Sequence, residues 1–245
     1  MFKNFKINIL FVIIFSLTSF DLLAANRFWV AVNDGTTKYY DDPANWSNTS
    51  GGNGGFSTPT QNDIVKFDGG SSVTCTIRRG ANAKQLKLMP PFNGTVKIND
   101  GKTLRITEHL SIYSGSTLLV GTNSQLFTNK NTSWIYSGGT LSATNAKKVQ
   151  FFSVLAIASG GTFLAPSLHT VFKGGFRNAG TFTHNNGTVN FSPKDGSYQV
   201  VTGGTGTGKD FYNVIKSSGK VYKMNGDMQV NNIQFNKGVW NVNGI

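Results

Sequence analysis

From residue 26 onward, apolar and polar side chains alternate in short runs: Ile64-Val65-Lys66-Phe67, Leu86-Lys87-Leu88, Val96-Lys97-Ile98, Leu104-Arg105-Ile106 and Leu110-Ser111-Ile112. Period-two alternation predicts β-strands with one side turned to a core and the other to water. Asn93-Gly94, Asn99-Asp100-Gly101, Ser114-Gly115, Ser137-Gly138-Gly139 and Asn186-Gly187 punctuate the runs with residues suited to tight turns. Helical periodicity is lacking after the amino-terminal apolar run, apart from a turn or so near residues 145–148.

The strands repeat. Gly94-Thr95-Val96, Gly115-Ser116-Thr117-Leu118, Gly139-Thr140-Leu141, Gly161-Thr162-Phe163 and Gly180-Thr181-Phe182 place threonines at steps of 22, 23, 22 and 19 residues. A fixed period near 20 is the mark of a solenoid, each repeat forming one coil on the last. The chain is therefore expected to be all-β, a right-handed parallel β-helix over residues 76–245. Gly94, Thr117, Gly139, Thr162 and Gly180 are its structural markers. Asn-Gly and Ser-Gly turns also suit antiparallel hairpins, so a sandwich or barrel is the competing architecture; hairpin sheets, however, require no long fixed period.

Residues 26–75 read differently. Phe28, Trp29, Tyr39, Tyr40 and Trp46 precede the glycine-rich 51–55. A solenoid must cover its first coil, so this segment is expected to be an aromatic cap holding the first strands, with Trp29 and Trp46 as core plugs. The alternative is an exposed aromatic platform for sugar rings.

Residues 1–25 have the form of a cleaved secretory signal peptide: Lys3 and Lys6, an apolar run over 7–17, then Leu23-Ala24-Ala25. No other stretch has the length of a membrane span, so no mature transmembrane helix is expected. Cys75 is the single cysteine and is expected to face the core; one cysteine cannot form an internal disulfide.

The formal net charge is +12, from 23 basic and 11 acidic residues. Without Lys3, Lys6 and Asp21 it is 21 − 10 = +11. Such an excess attracts anionic partners, acidic polysaccharide among them, although scattered lysines also serve solubility alone.

Candidate chemistry is sparse. Residues 203–209, GGTGTGK, approach a phosphate-binding loop, but Asp210 stands where a Ser or Thr should hold magnesium, and no helix pattern follows. Asp41 and Asp42 are the only adjacent acidic pair and weak calcium candidates, with Asp63 and Asp68 as further oxygens. In the competing view Asp41 and Asp42 start a turn before Pro43, and Asp63 fixes a loop. His109, His169 and His184 match no short metal spacing. A glycosidase or lyase needs clustered acids beside a base; Asp100, Glu108, Asp195, Asp210 and Asp227, with Arg105, Arg177, Lys173 or Lys220, are what the chain offers. Asn129, Asn131, Asn178, Asn185, Asn186, Asn231 and Asn232 could stack as amide ladders. Tyr198, Phe211, Tyr212, Lys216, Lys220, Tyr222 and Lys223 interleave bases and aromatics. On alternating strands the lysines should face out and the aromatics in, so no specific nucleic-acid binding is expected. No cofactor is called for.

Asn45-Trp46-Ser47, Ser50-Gly51-Gly52, Thr58-Pro59-Thr60 and the run from Asp63 to Asp68 (DIVKFD) together resemble the opening module of large bacterial surface and autotransporter-like β-helix proteins. Residues 176–182 (FRNAGTF), 187–191 (GTVNF) and 211–215 (FYNVI) are similar to repeats of secreted adhesin-like proteins of the Bacteroidetes type. The resemblance covers most of residues 26–245 and implies a β-helical, secreted or cell-surface bacterial protein; it carries over no catalytic residue. Those families are far longer, whereas residues 239–245 read as the middle of a repeat. A continuation of the same solenoid or a capping partner is thus expected there. The expected function is non-catalytic, adhesin-like binding of extended, anionic polysaccharide or cell-surface glycan through strand faces. The alternatives are a polysaccharide lyase or glycoside hydrolase on the same scaffold, and a ligand-free structural stalk.

Overall fold

The computed structural model describes residues 24–193, 198–202, 208–219, 221–237 and 240–242. They form an all-β solenoid whose strands stack in parallel. The exception is a short antiparallel pairing of Asn26–Trp29 with Trp46–Ser47, where Phe28 faces Ser47 and Trp29 faces Trp46. Among the described residues the one helical element is the 3-10 turn Pro43–Asn45. The expected turn near 145–148 is a loop corner, and strand begins again at Lys148.

Each full coil has three faces. The first carries Gln125–Thr128, Lys148–Phe151, His169–Phe172 and Thr188–Phe191 in succession. On the second, Ser133–Ile135, Leu155–Ile157 and Phe176–Asn178 stack in the same way. A separate seven-stranded sheet, from Lys38–Tyr39 to Thr181–Thr183, makes the third. Two long strands, Ala81–Leu88 and Thr103–Ile112, turn the corner between the first and second faces. Their pairing shifts register between Ala83 and Gln85. This joins the two faces into one seventeen-stranded sheet.

The threonine repeat is the register of the third face. Thr95, Thr117, Thr140, Thr162 and Thr181 pair rung to rung, with side chains outward, while Val96, Leu118, Leu141, Phe163 and Phe182 behind them are buried. The turns ahead of this face also stack. Gly115, Gly138 and Gly160 all have positive φ, which a residue without a Cβ adopts at no steric cost. The Gly115 N–H donates to the Gly138 carbonyl (3.0 Å), and the Gly138 N–H to the Gly160 carbonyl (2.8 Å). Gly94 and Gly180 serve the close approach of coils: a Cβ at Gly94 would overlap the Ser72 carbonyl oxygen of the preceding coil, and one at Gly180 would lie 2.7 Å from Ile157 Cγ2.

The core changes along the axis. Leu104, Leu126 and Val149 fill the first face early, and Phe151, Phe172 and Phe191 form an aromatic ladder later, with centroids 5.6 and 5.4 Å apart. Each fully buried aromatic contributes about 2–3 kcal/mol of burial free energy. Thr170 interrupts this interior: it is buried between Val149 and Val189, and its Oγ1 has no hydrogen-bond partner among the described residues. Thr170→Val is expected to stabilise the chain by about 1 kcal/mol, because it removes a desolvated hydroxyl at nearly constant volume. Equilibrium urea unfolding checks this, and an unchanged or lowered midpoint would refute it.

Among the described residues the last strand of the third face is Thr181–Thr183. Gly208 lies against it, its carbonyl accepting from the Phe182 N–H. One coil later, Tyr222–Asn225 on the second face leads directly, through residues 226–229, to Val230–Phe235 on the first. Ile233 and Phe235 occupy core-row positions beside Val214 and Lys216, yet they are 46% and 55% exposed.

Candidate functional site

Trp29 and Trp46 are fully buried, with ring centroids 5.1 Å apart in an edge-to-face pair, and each indole N–H is satisfied: Trp29 donates to the Val73 carbonyl and Trp46 to that of Tyr40. These rings are core. Cys75 is likewise buried and free, and burial pushes its thiol pKa up, away from nucleophilic use.

Most of the acids are committed to separate local partners; Asp68, by contrast, has a buried Oδ1 with no hydrogen-bond partner among the described residues. Asp41 accepts from Arg78 Nε at 2.9 Å and faces Arg79 Nε at 3.3 Å, while Asp42 caps the 3-10 turn by accepting from the Ala44 N–H. Asp63 is buried and accepts from the N–H and hydroxyl of Thr60, fixing that loop. No group of three His, Cys, Asp or Glu among the described residues could hold a metal ion. Asp100 accepts from the Thr122 N–H, Glu108 from Gln85 Nε2, and Asp210 faces His184 Nε2 at 3.4 Å. Asp227 lends its backbone carbonyl to Thr202, and Asp195 and Lys220 lie outside the described residues.

The most enzyme-like constellation is His184, Asp210 and Tyr212, in a cleft of about 390 Å³. Yet His184 Nδ1 accepts from the Asn186 N–H at 2.9 Å while Nε2 faces Asp210. With both ring nitrogens occupied, no lone pair is left to take a proton from a substrate. Arg105 lies over the Phe127 ring at 4.4 Å, and Lys173 donates to Ser192 Oγ. Of the phosphate-loop residues, 203–207 lie outside the described residues; Lys209 donates to the Asn178 and Gly180 carbonyls of an earlier coil.

Two expectations need correction. Lys216 was expected to face water and instead points into the core, in register with Phe191 and Phe235. Its ammonium donates to the Ser218 and Lys237 carbonyls, and burial pushes its pKa down. The basic-aromatic cluster is thereby split between inside and outside. Asparagines form an inter-coil side-chain pair at Asn213 and Asn232 (2.9 Å), but Asn178 and Asn185 bond to backbone carbonyls rather than to one another.

The outward side of the second face carries more organisation than the sequence discloses at a glance. One row runs Phe28, Lys66, Lys87, Ser111, Trp134, Ala156, Arg177, Val201 and Asn225, one side chain per coil, joined by unbroken pairing. It holds three cations and no carboxylate. At about 4.8 Å per rung the row spans about 38 Å. Lys66 lies over the Phe28 ring at 5.0 Å. Beside the middle of the row is an exposed-side aromatic group, far from the amino-terminal tryptophans. Tyr136 stacks on Tyr113 with centroids 4.1 Å apart and planes within 14°, and Trp134 lies parallel to Tyr136 at 5.5 Å and 15°. All three are partly exposed. The phenol of Tyr136 is pushed up to about 12, by burial first and then by its hydrogen bond with Tyr113. The signal was present in the repeat: Tyr113 and Tyr136 are 23 residues apart, the same step as Thr117 and Thr140.

His109 stands in the neighbouring row, and its Nε2 lies 2.5 Å from the Oγ of Ser111 in this one. Burial, and then the charge of Lys87, push the imidazole below its usual pKa. The unfolded chain therefore binds this proton more readily, so the stability from neutral His109 is complete above about pH 6.5 and is lost as pH falls below it. Melting temperature is expected to drop from pH 7 to pH 5, and to drop less in His109→Gln. An equal drop in both would refute this assignment.

The fold and face define a class: a parallel β-solenoid whose second face carries a row of cations beside an aromatic stack. In comparisons with protein-family models, curated proteins and solved structures, nothing matches this chain. No helix among the described residues is long and apolar enough to cross a membrane.

Proposed function

We propose that this chain is a non-catalytic, exported, adhesin-like surface or matrix protein of a bacterium that binds extended anionic glycans along its strand faces. The observation that supports this most is the unbroken row from Phe28 to Asn225, in which Lys66, Lys87 and Arg177 recur with no carboxylate among them. Its length suits a ligand that is itself extended and repetitive, so that many weak contacts add along one chain. The charge of +12 adds long-range attraction for such a ligand.

In this proposal residues 1–25 are a cleaved signal peptide, and the coil is right-handed, as parallel crossovers overwhelmingly are. The cluster of Trp29, Tyr40, Trp46 and Phe67 caps the first coil, and a continuation of the same solenoid or a capping partner covers the strand Val230–Phe235. The resemblance of residues 45–68 and 176–215 to bacterial surface proteins supports export.

The test is incubation of the full chain with acidic and neutral polysaccharides, following both retention and released oligosaccharides by mass spectrometry. Retention without products is the expected result. Released oligosaccharides would replace this proposal with a lyase or hydrolase, and neither retention nor products would favour a structural stalk.

A further inference from the structure

We infer that the stack of Tyr113, Tyr136 and Trp134 is a ring-binding subsite for one uronate residue of an acidic polysaccharide, whose carboxylates are held by Lys87 and Arg177. This rests on the glycan-binding reading above and names where on the second face, and for which sugar class, binding is concentrated.

Tyr136 is the middle ring, between Tyr113 and Trp134. Trp134 makes its one ring contact with Tyr136, so the indole is one end of the stack, and its Nε1–H has no partner among the described residues. An indole face with a free donor at its edge suits a pyranose: the ring C–H groups lie on the negative π-face, and a hydroxyl accepts from the N–H. The next rung carries Ala156, a methyl sunk to 2% exposure, which adds no height to the face. The rung after that carries Arg177, exposed and without a carboxylate partner among the described residues. On the other side of Trp134 come buried Ser111 and then Lys87, likewise without a carboxylate partner there.

The cations thus stand two rungs to either side of the indole, about 10 Å away each. A sugar stacked on Trp134 sits within reach of a guanidinium or an ammonium for its own carboxylate or that of a neighbouring residue. Arg presents a planar fork that matches a carboxylate. A single-stranded nucleic acid fits less well, because successive bases need successive free ring faces. Here Tyr136 is flanked by both neighbours, so open ring faces remain only at the two ends of the stack, on Tyr113 and Trp134, and not in succession.

The experiment uses affinity electrophoresis of the full chain in gels containing sodium alginate or polygalacturonate, with dextran as the neutral control and oligodeoxythymidylate as the nucleic-acid control. Trp134→Ala is expected to weaken polyuronate binding at least tenfold, and Trp134→Phe to stay within about threefold of the unmodified chain. Lys87→Gln with Arg177→Gln should weaken polyuronate binding at least tenfold, and Lys148→Gln on the first face should change it little. Trp134 is partly exposed, and an unchanged melting temperature confirms that each variant is folded. Retention of the unmodified chain with no loss in Trp134→Ala would overturn this subsite while leaving glycan binding standing. No retention on any polysaccharide would overturn both. Tighter, Trp134-dependent binding of oligodeoxythymidylate, or equal binding of dextran, would overturn the assignment to a uronate.

Discussion

Trp46→Ala is expected to destabilise the chain by about 4 kcal/mol, the largest effect of any single side-chain truncation proposed for it. Trp46 is fully buried and edge-on to both Trp29 and Tyr40, with centroids 5.1 Å away in each case. Phe67 packs on it from the next coil at 5.8 Å, and its N–H donates to the Tyr40 carbonyl at 2.7 Å. Truncation would leave a cavity walled by rigid rings that cannot collapse into it, and would strand that carbonyl acceptor. In a stacked protein each coil leans only on its neighbours, so the loss should be felt first in residues 26–88. Hydrogen exchange should show those strands losing protection while Lys148–Phe151 and later strands keep theirs. A midpoint shift worth less than about 1 kcal/mol would mean that the aromatic cluster is not a packed interior.

Gly139→Ala is expected to cost about 3 kcal/mol despite adding one methyl group. A Cβ at this position would overlap the Ile112 carbonyl oxygen and lie 2.9 Å from its carbon and 3.1 Å from the Tyr113 oxygen. These are backbone atoms of the preceding coil, fixed by ladder hydrogen bonds, so no side chain can rotate out of the way. The coils would have to separate at the corner between the second and third faces, disturbing both the pairing of Thr117 with Thr140 and the stack of Tyr113 on Tyr136. Gly219→Ala, with nothing within 4 Å of its Cβ, is the matched control and should change stability by no more than about 0.5 kcal/mol. Equal urea midpoints for the two variants would show that the close approach is dispensable.

Much of the architecture was legible because a solenoid writes its third dimension into its period. Threonines at 95, 117, 140, 162 and 181 predicted the rungs, and each pairs with the next. Among the described residues the competing antiparallel pairing survives only where Phe28 and Trp29 pair with Ser47 and Trp46. Individual residues were harder to place. Lys216 follows the outward-charged rule in composition and breaks it in space, because its coil closes with the strand position aimed at Phe191 and Phe235. Among the described residues an asparagine side-chain pair spans coils at Asn213 and Asn232, where register sets them side by side, whereas Asn178 and Asn185 give their amides to the Gly208 and Ala165 carbonyls. The aromatic stack is hidden in the sequence for a similar reason. Tyr113 and Trp134 are each unremarkable in a strand, and only the closing of one coil onto the next sets their rings in parallel.

By itself, then, the chain's alternation and period determined that strands form, that they stack in parallel, and which side chains of each strand are candidates for the core. These are local properties, set by the two-residue geometry of a strand and the length of one coil. The tertiary structure decided which outward residues share a row, which cations stand without a carboxylate beside them, and which acids are already taken. Those depend on how many residues each corner absorbs, which differs from coil to coil and sets the register of every rung above it.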